Sequence, residues 1–227
     1  MTAGTEAART ALREVRYVLL DFDGPICDIF AGLPAPGVAA QLREMLEAAG
    51  VDRPDYVRTQ DDPIEVFRYS ATLGDELNRA TLSALADLEV KAAATARITP
   101  GVEEVIRRAV NSGRPVAIVS NNSVAGVTAF LDAHGLMPVI SYVSARADAN
   151  PNLMKPNPHL VRRALVELAA DPARTVLVGD SLTDIEAAKA AGVLAVGYAN
   201  NPGKADRFAA AGADLVVTRM LDLLTAL

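Results

Sequence analysis

The chain has a single cysteine, Cys27, in 227 residues. That excludes an intramolecular disulfide and a cysteine-rich zinc site, and it points to a reducing, cytoplasmic setting. Long apolar runs are missing too, because no window comes near the ~18 consecutive apolar residues of a membrane span. Met1 to Arg13 interleave small residues with Glu6, Arg9 and Arg13 and lack the apolar centre of a secretory leader. Positive charge is scarce: 22 Lys and Arg stand against 28 Asp and Glu, for a net charge of −6. Such a chain lacks the basic footprint of a general nucleic-acid binder or an anionic-membrane binder, while leaving room for one small positive pocket. Aromatic residues are few, with no tryptophan, but 51% of residues are apolar and 22% charged. This balance excludes a wholly disordered or fibrous chain. The length supports a buried core without staples, and no internal repeat is visible.

Short apolar, β-branched runs recur along the chain, most of them ending in Asp, Ser or Gly and leading into a helical stretch. They are Tyr17–Phe22, Pro115–Ser120, Val139–Val143, Thr175–Gly179, Leu194–Gly197 and Leu215–Val217. Strands apolar on both faces and spaced by helices predict a parallel sheet covered on both sides. The expected helices are Val102–Asn111, Val124–His134, Pro158–Ala169, Thr183–Ala191 and Lys204–Ala211, several of them closing on glycine. The pattern predicts a doubly wound α/β core, residues 1–27 and 98–227.

One stretch departs from this alternation. Between Cys27 and Arg97 no buried strand is evident, whereas Val38–Ala49, Pro63–Leu73 and Asp75–Ala96 space their apolar residues as helices do. A structureless loop of that length inside a sheet domain is improbable. Residues 28–97 are therefore expected to form an inserted helical domain, with Thr99-Pro100-Gly101 as the returning hinge.

Polar residues at the carboxyl ends of parallel strands are where a site is sought. The first run ends Asp21-Phe22-Asp23-Gly24, the second Ser120-Asn121-Asn122-Ser123, and the fourth Gly179-Asp180-Ser181-Leu182-Thr183-Asp184, with Met154-Lys155-Pro156 in between. Carboxylates gathered at one mouth repel each other, a strain that a hard cation such as Mg²⁺ relieves. An aspartate is a competent nucleophile toward phosphorus. A second carboxyl two residues on can act as general acid and then general base. Lys155 and the Ser120 hydroxyl can hold phosphoryl oxygens.

On these residues the chain resembles the haloacid dehalogenase superfamily, in its phosphatase branch with a helical cap inserted after the first motif. The motifs that carry the resemblance are Asp21-Phe22-Asp23-Gly24, Ser120-Asn121, Lys155-Pro156 and Gly179-Asp180-Ser181-x-x-Asp184. The resemblance implies that Asp21 is the nucleophile and Asp23 the acid/base. It places Mg²⁺ on Asp21, Asp180 and the main-chain carbonyl of Asp23, supported by Asp184. Phosphate contacts would fall to Gly24, Ser120, Asn121 and Lys155. The sequence departs from the family's usual residues at Pro25 and Ile29; Pro25 has no N–H to offer a phosphate, which leaves those of Asp23 and Gly24.

The expected substrate is a small phosphorylated metabolite, of phosphoglycolate or sugar-phosphate type, with no nucleic-acid or membrane partner; monomer and homodimer both remain open. A phosphomutase of the β-phosphoglucomutase kind would share every core residue. A 2-haloacid dehalogenase would not need Asp23, a phosphonate hydrolase would want an insert lysine beyond Lys91, and a non-catalytic phosphate binder would not need the full set. Asn122 and Ser123 read as helix caps or substrate contacts. His134, His159 and Cys27 read as structural. Arg58, Arg68 and Tyr69 are the insert residues to test for substrate contact.

Overall fold

The computed structural model describes residues 10–225. The amino-terminal stretch read as lacking an apolar leader therefore falls, through residue 9, outside the described residues. The strands are β1 (Tyr17–Leu20), β2 (Cys27–Asp28), β3 (Arg97–Ile98), β4 (Val116–Ser123), β5 (Tyr142–Arg146), β6 (Thr175–Gly179), β7 (Leu194–Tyr198) and β8 (Leu215–Val217). Six of them form one sheet in the order β5-β4-β1-β6-β7-β8, parallel at every pairing.

The alternation of side chains across a strand explains why these runs are apolar throughout. Val18 and Leu20 of β1 pack on one face with Val116 and Ile118 of β4 and Val176 and Val178 of β6. Leu19, Ala117, Val119 and Leu177 point to the opposite face. Helices α5 (Val102–Asn111) and α6 (Val124–Ala133) cover the first face. The second is covered by α7 (His159–Glu167), α8 (Leu182–Ala191) and α9 (Lys204–Ala210). Leu19, fully buried in the centre, contributes about 1.5–3 kcal/mol by leaving water.

The excursion between β2 and β3 is helical. It holds α1 (Ala35–Ala48), α2 (Asp55–Arg58), α3 (Pro63–Ser70) and α4 (Asp75–Ala93). Val38, Leu42 and Leu46 of α1, Val66 and Phe67 of α3 and Leu85 and Leu88 of α4 form a cluster of their own. Met154, from the loop that carries Lys155, completes that cluster. Helix α3 starts where Asp62 accepts the Ile64 N–H and Pro63 supplies a first-turn φ.

Two expectations need correction. Val139 is not in a strand: Met137–Val139 is a 3-10 turn, and the third strand of the pattern runs from Tyr142 to Arg146. Pro138 has no N–H for a ladder, so pairing starts beyond it. The stretch after Pro115 extends further than expected, to Ser123, and carries Ser120-Asn121-Asn122 within the strand. Where the insert leaves and rejoins the core, β2 and β3 pair antiparallel, Cys27 with Ile98 and Asp28 with Arg97, just before Thr99-Pro100-Gly101.

Candidate active site

β1 lies between β4 and β6, so the chain passes to one side of β1 and later to the other. The crevice at such a reversal opens at the strands' carboxyl ends. Asp21 follows β1 directly, Ser120 lies in β4, and Asp180 follows β6. All three line one cleft of ≈ 740 Å³, together with Asp23, Asn121, Asn122 and Lys155.

Lys155 is the centre of the floor. Its ammonium lies 2.7 Å from Asp21 Oδ1 and 2.5 Å from Asp184 Oδ1, and it donates to the Val119 carbonyl at 3.0 Å. Asp184 is held in turn by the α8 capping box, its Oδ2 accepting the Ser181 N–H at 3.0 Å and Oγ–H at 2.6 Å. Asn121 clamps the Lys155 backbone from both sides: the Lys155 N–H donates to Oδ1 at 2.8 Å, and Nδ2 donates to the Lys155 carbonyl at 3.1 Å. The Asn121 side chain thus positions the lysine. The Lys155–Pro156 peptide bond is cis.

These surroundings change how the acids hold protons. Burial holds the Asp21 carboxyl well above the usual carboxylate range, with Asp184 pushing the same way and Lys155 opposing. Asp23 is raised to about 7, mainly by burial, against the Ile29 N–H that donates to its Oδ1 at 3.2 Å. Asp184 and Asp21 raise Lys155 above its ordinary value, outweighing burial.

Asp21, Asp180 and Asp184 each bring a carboxylate oxygen within 4.8 Å of the others. Three oxygen donors of like charge, with no nitrogen or sulfur, suit a hard divalent cation. The Asp23 carboxylate is not in this group, so any share it takes in a metal is left to its main-chain carbonyl. Gly24 makes the approach possible: at φ +99°, a Cβ built on it would lie 2.3 Å from Asp180 Cγ. Its N–H, expected to face a phosphate, donates to the Cys27 carbonyl at 2.7 Å.

Asp180 has partners that the sequence reading missed. Lys204 Nζ lies 2.7 Å from its Oδ2 and also donates to its carbonyl at 2.8 Å, while Asn200 Nδ2 donates to Oδ2 at 3.0 Å. Lys155 is therefore not the sole counter-cation among the acids. A signal was present: Lys204 opens α9, where the helix dipole disfavours a cation unless something else holds it.

The insert supplies the opposite wall, from Phe30 and Gln60 through Asp61, Asp62, Ile64, Glu65 and Arg68. Of the three insert residues singled out, Arg68 alone lines this cleft. Arg58 pairs with Asp52 at 2.7 Å, and the Tyr69 ring packs edge-on against Tyr56. His134 stacks on Phe130 with ring centroids 4.1 Å apart, and buried Cys27 has its thiol pushed far up; both are structural.

Residues 15–192 match the model of the hydrolases described as haloacid dehalogenase-like. The chain belongs to this family. This hydrolase is 30% identical over 207 residues to the probable phosphatase IndB of Dickeya dadantii, covering 88% of each chain. It is 28% identical to a phosphoglycolate phosphatase of Neisseria meningitidis, over 82% of this chain and 81% of that one. Among solved structures, the hydrolase shares its fold with CbbY from Rhodobacter sphaeroides in complex with phosphate. There the TM-score is 0.64 at 22% identity, covering 92% of this chain and 96% of the other. No helix among the described residues is long and apolar enough to cross a membrane.

Proposed function

We propose that this hydrolase is a Mg²⁺-dependent phosphatase that cleaves the ester of a small, hydroxyl-bearing phosphorylated metabolite through an aspartyl-phosphate on Asp21. The observation that carries this reading is the convergence of Asp21, fixed by Lys155, and Asp23 on one cleft with the Asp180 and Asp184 carboxylates. An Asp21 oxygen attacks phosphorus, the ester P–O bond breaks, and Asp23 protonates the departing oxygen. Water then attacks the phosphorus, Asp23 takes its proton, and the bond to Asp21 breaks to release phosphate. Lys155 and the Ser120 hydroxyl steady the equatorial oxygens in both steps. Asp21, Asp180, Asp184 and the Asp23 carbonyl would hold Mg²⁺, which neutralises charge between carboxylates and phosphoryl group.

Relatives named as phosphatases support the reaction class. The wall charges bear on the leaving group. Asp61, Asp62 and Glu65 line it, and the one cation on it among the described residues, Arg68, is paired with Glu65 at 3.1 Å. A substrate carboxylate, as in phosphoglycolate, would meet like charge there, whereas sugar hydroxyls would meet acceptors. This favours a sugar phosphate.

The test is phosphate release from p-nitrophenyl phosphate, phosphoglycolate and a panel of sugar phosphates, before and after exhaustive chelation. Release should vanish without metal, return with Mg²⁺, and favour sugar phosphates over phosphoglycolate. Undiminished turnover of the chelated protein overturns the metal assignment. Sugar isomerisation without released phosphate indicates a phosphomutase instead, and a dominant rate with phosphoglycolate overturns the substrate argument alone.

A further inference from the structure

Helix α4 of the insert and the end of β5 are joined by an ion pair that water does not reach. Glu89 Oε2 lies 2.6 Å from Arg146 Nη2, with side-chain exposures of 0% and 1%. The approach that permits it is close: a Cβ built on Gly126 of α6 would lie 2.9 Å from Glu89 Cβ. Phe67 of α3 lies under the guanidinium, 5.2 Å from its centre. Yet Arg146 Nε and Nη1 have no hydrogen-bond partner among the described residues. A buried pair left partly unsatisfied is a poor device for stability, since well-packed apolar residues do as well or better. Its geometry suggests another use.

Glu89 also accepts the Ser123 N–H on Oε2 at 2.7 Å and Asn122 Nδ2–H on Oε1 at 3.2 Å. Asn122 in turn meets Ser120 twice. Its Oδ1 accepts from the Ser120 hydroxyl at 3.1 Å, and its N–H donates to Ser120 Oγ at 3.1 Å. Every member of this chain of bonds is buried. An insert carboxylate therefore sets the amide orientation of Asn122, and the amide sets the hydroxyl of Ser120. Arg146 fixes the carboxylate that starts the sequence.

We infer that Glu89 is a positioning residue for phosphoryl transfer, fixing Ser120 Oγ through Asn122 from the insert side, with the hydroxyl proton turning from Asn122 Oδ1 to a phosphoryl oxygen when one arrives. The inference rests on the reading of Ser120 as a phosphoryl-holding group. The last helix of the insert is then part of the catalytic floor, mechanically tied to it, while α1 and α3 line the cleft opposite.

The test removes the charges together, so that no orphan charge is buried. E89Q/R146M keeps an acceptor for Asn122; E89L/R146M keeps none. With p-nitrophenyl phosphate, E89L/R146M should lower kcat about tenfold with KM changed less than about twofold, and E89Q/R146M should recover most of the loss. In a Ser120→Ala background the two pairs should become indistinguishable. If E89L/R146M does not fold, Asn122→Leu cuts the same link, leaves the ion pair intact and replaces it in the cycle. Equal kcat for the two pairs, or a difference that survives Ser120→Ala, overturns the inference. Competitive inhibition by inorganic phosphate is scored in parallel. A wild-type protein with neither turnover nor phosphate inhibition overturns the phosphatase reading and this inference together, whereas active wild type with an additive cycle overturns this inference only.

Discussion

On the floor of the cleft the charged side chains are buried and bonded several times over. On the wall built by α3 they are exposed and paired once. Lys155 has Asp21, Asp184 and the Val119 carbonyl around it, and Asp184 is locked further by Ser181. Arg68 has Glu65 one turn away, half-exposed, and a 3.3 Å contact with the Lys155 carbonyl. A pair of the second kind contributes about 0–1 kcal/mol and rearranges freely. The floor's geometry exists before any ligand arrives, which is what stabilising a transition state requires. The wall adjusts to what it meets, which suits discrimination between leaving groups.

The comparison breaks most visibly at Asp21. Asp21→Asn keeps the shape of the floor but removes the attacking oxygen, and turnover of p-nitrophenyl phosphate should fall more than about a thousandfold. Retention of a tenth of the rate, a loss of only ~1.4 kcal/mol, would contradict covalent transfer to Asp21.

Asp23→Asn should slow both formation and hydrolysis of the phosphorylated enzyme, by about a hundredfold or more in steady state. It also carries a stability signature in metal-free protein. The folded carboxyl sits at about 7 against an ordinary value of 3.8, so the native state binds more protons than the unfolded chain between these values. Its contribution to stability is complete below about 3.8 and is lost as pH rises through about 7. Denaturant midpoints should show Asp23→Asn gaining on wild type between pH 5 and pH 8. A constant difference across that range would refute the burial argument.

The smallest effect sharpens the contrast on the wall side. Arg68→Ala should reorder the preference among sugar phosphates by a few-fold while changing the aryl phosphate rate less than about threefold, because one exposed pair is involved. Arg58→Ala, outside the cleft, should change neither. Identical substrate rankings for wild type and Arg68→Ala would return selection to the floor.

Much of the architecture was legible because both faces of the sheet are buried. Val18, Leu19 and Leu20 read as a strand since each finds apolar partners on its own side. The acids and Lys155 were legible because each stands at the end of such a run or in a loop beside it. Where reading along the chain failed, the deciding partner was remote. Arg146 ends its strand as a charge, which obscures the run, because Glu89 waits 57 positions earlier. The close approach of Gly24 to Asp180, and the bond of its N–H to Cys27, could not be read from its own position either. Arg58 and Arg68 look alike in sequence; only the turn made by α2 and α3 directs one to the cleft and the other to Asp52.

The place of β1 in the sheet also has a bearing on how the protein is made. Tyr17 pairs with Thr175 on one side, and Val18 with Val116 on the other. At ribosomal speeds of roughly 5–20 residues per second, this central strand waits on the order of ten seconds for its second neighbour. The helices between 35 and 93 find most of their partners among themselves and collapse in far less time. The nascent chain thus carries a partly assembled helical bundle, still without Met154, beside a central strand short of a neighbour, and that interval is when β1 is most exposed to aggregation or to a chaperone.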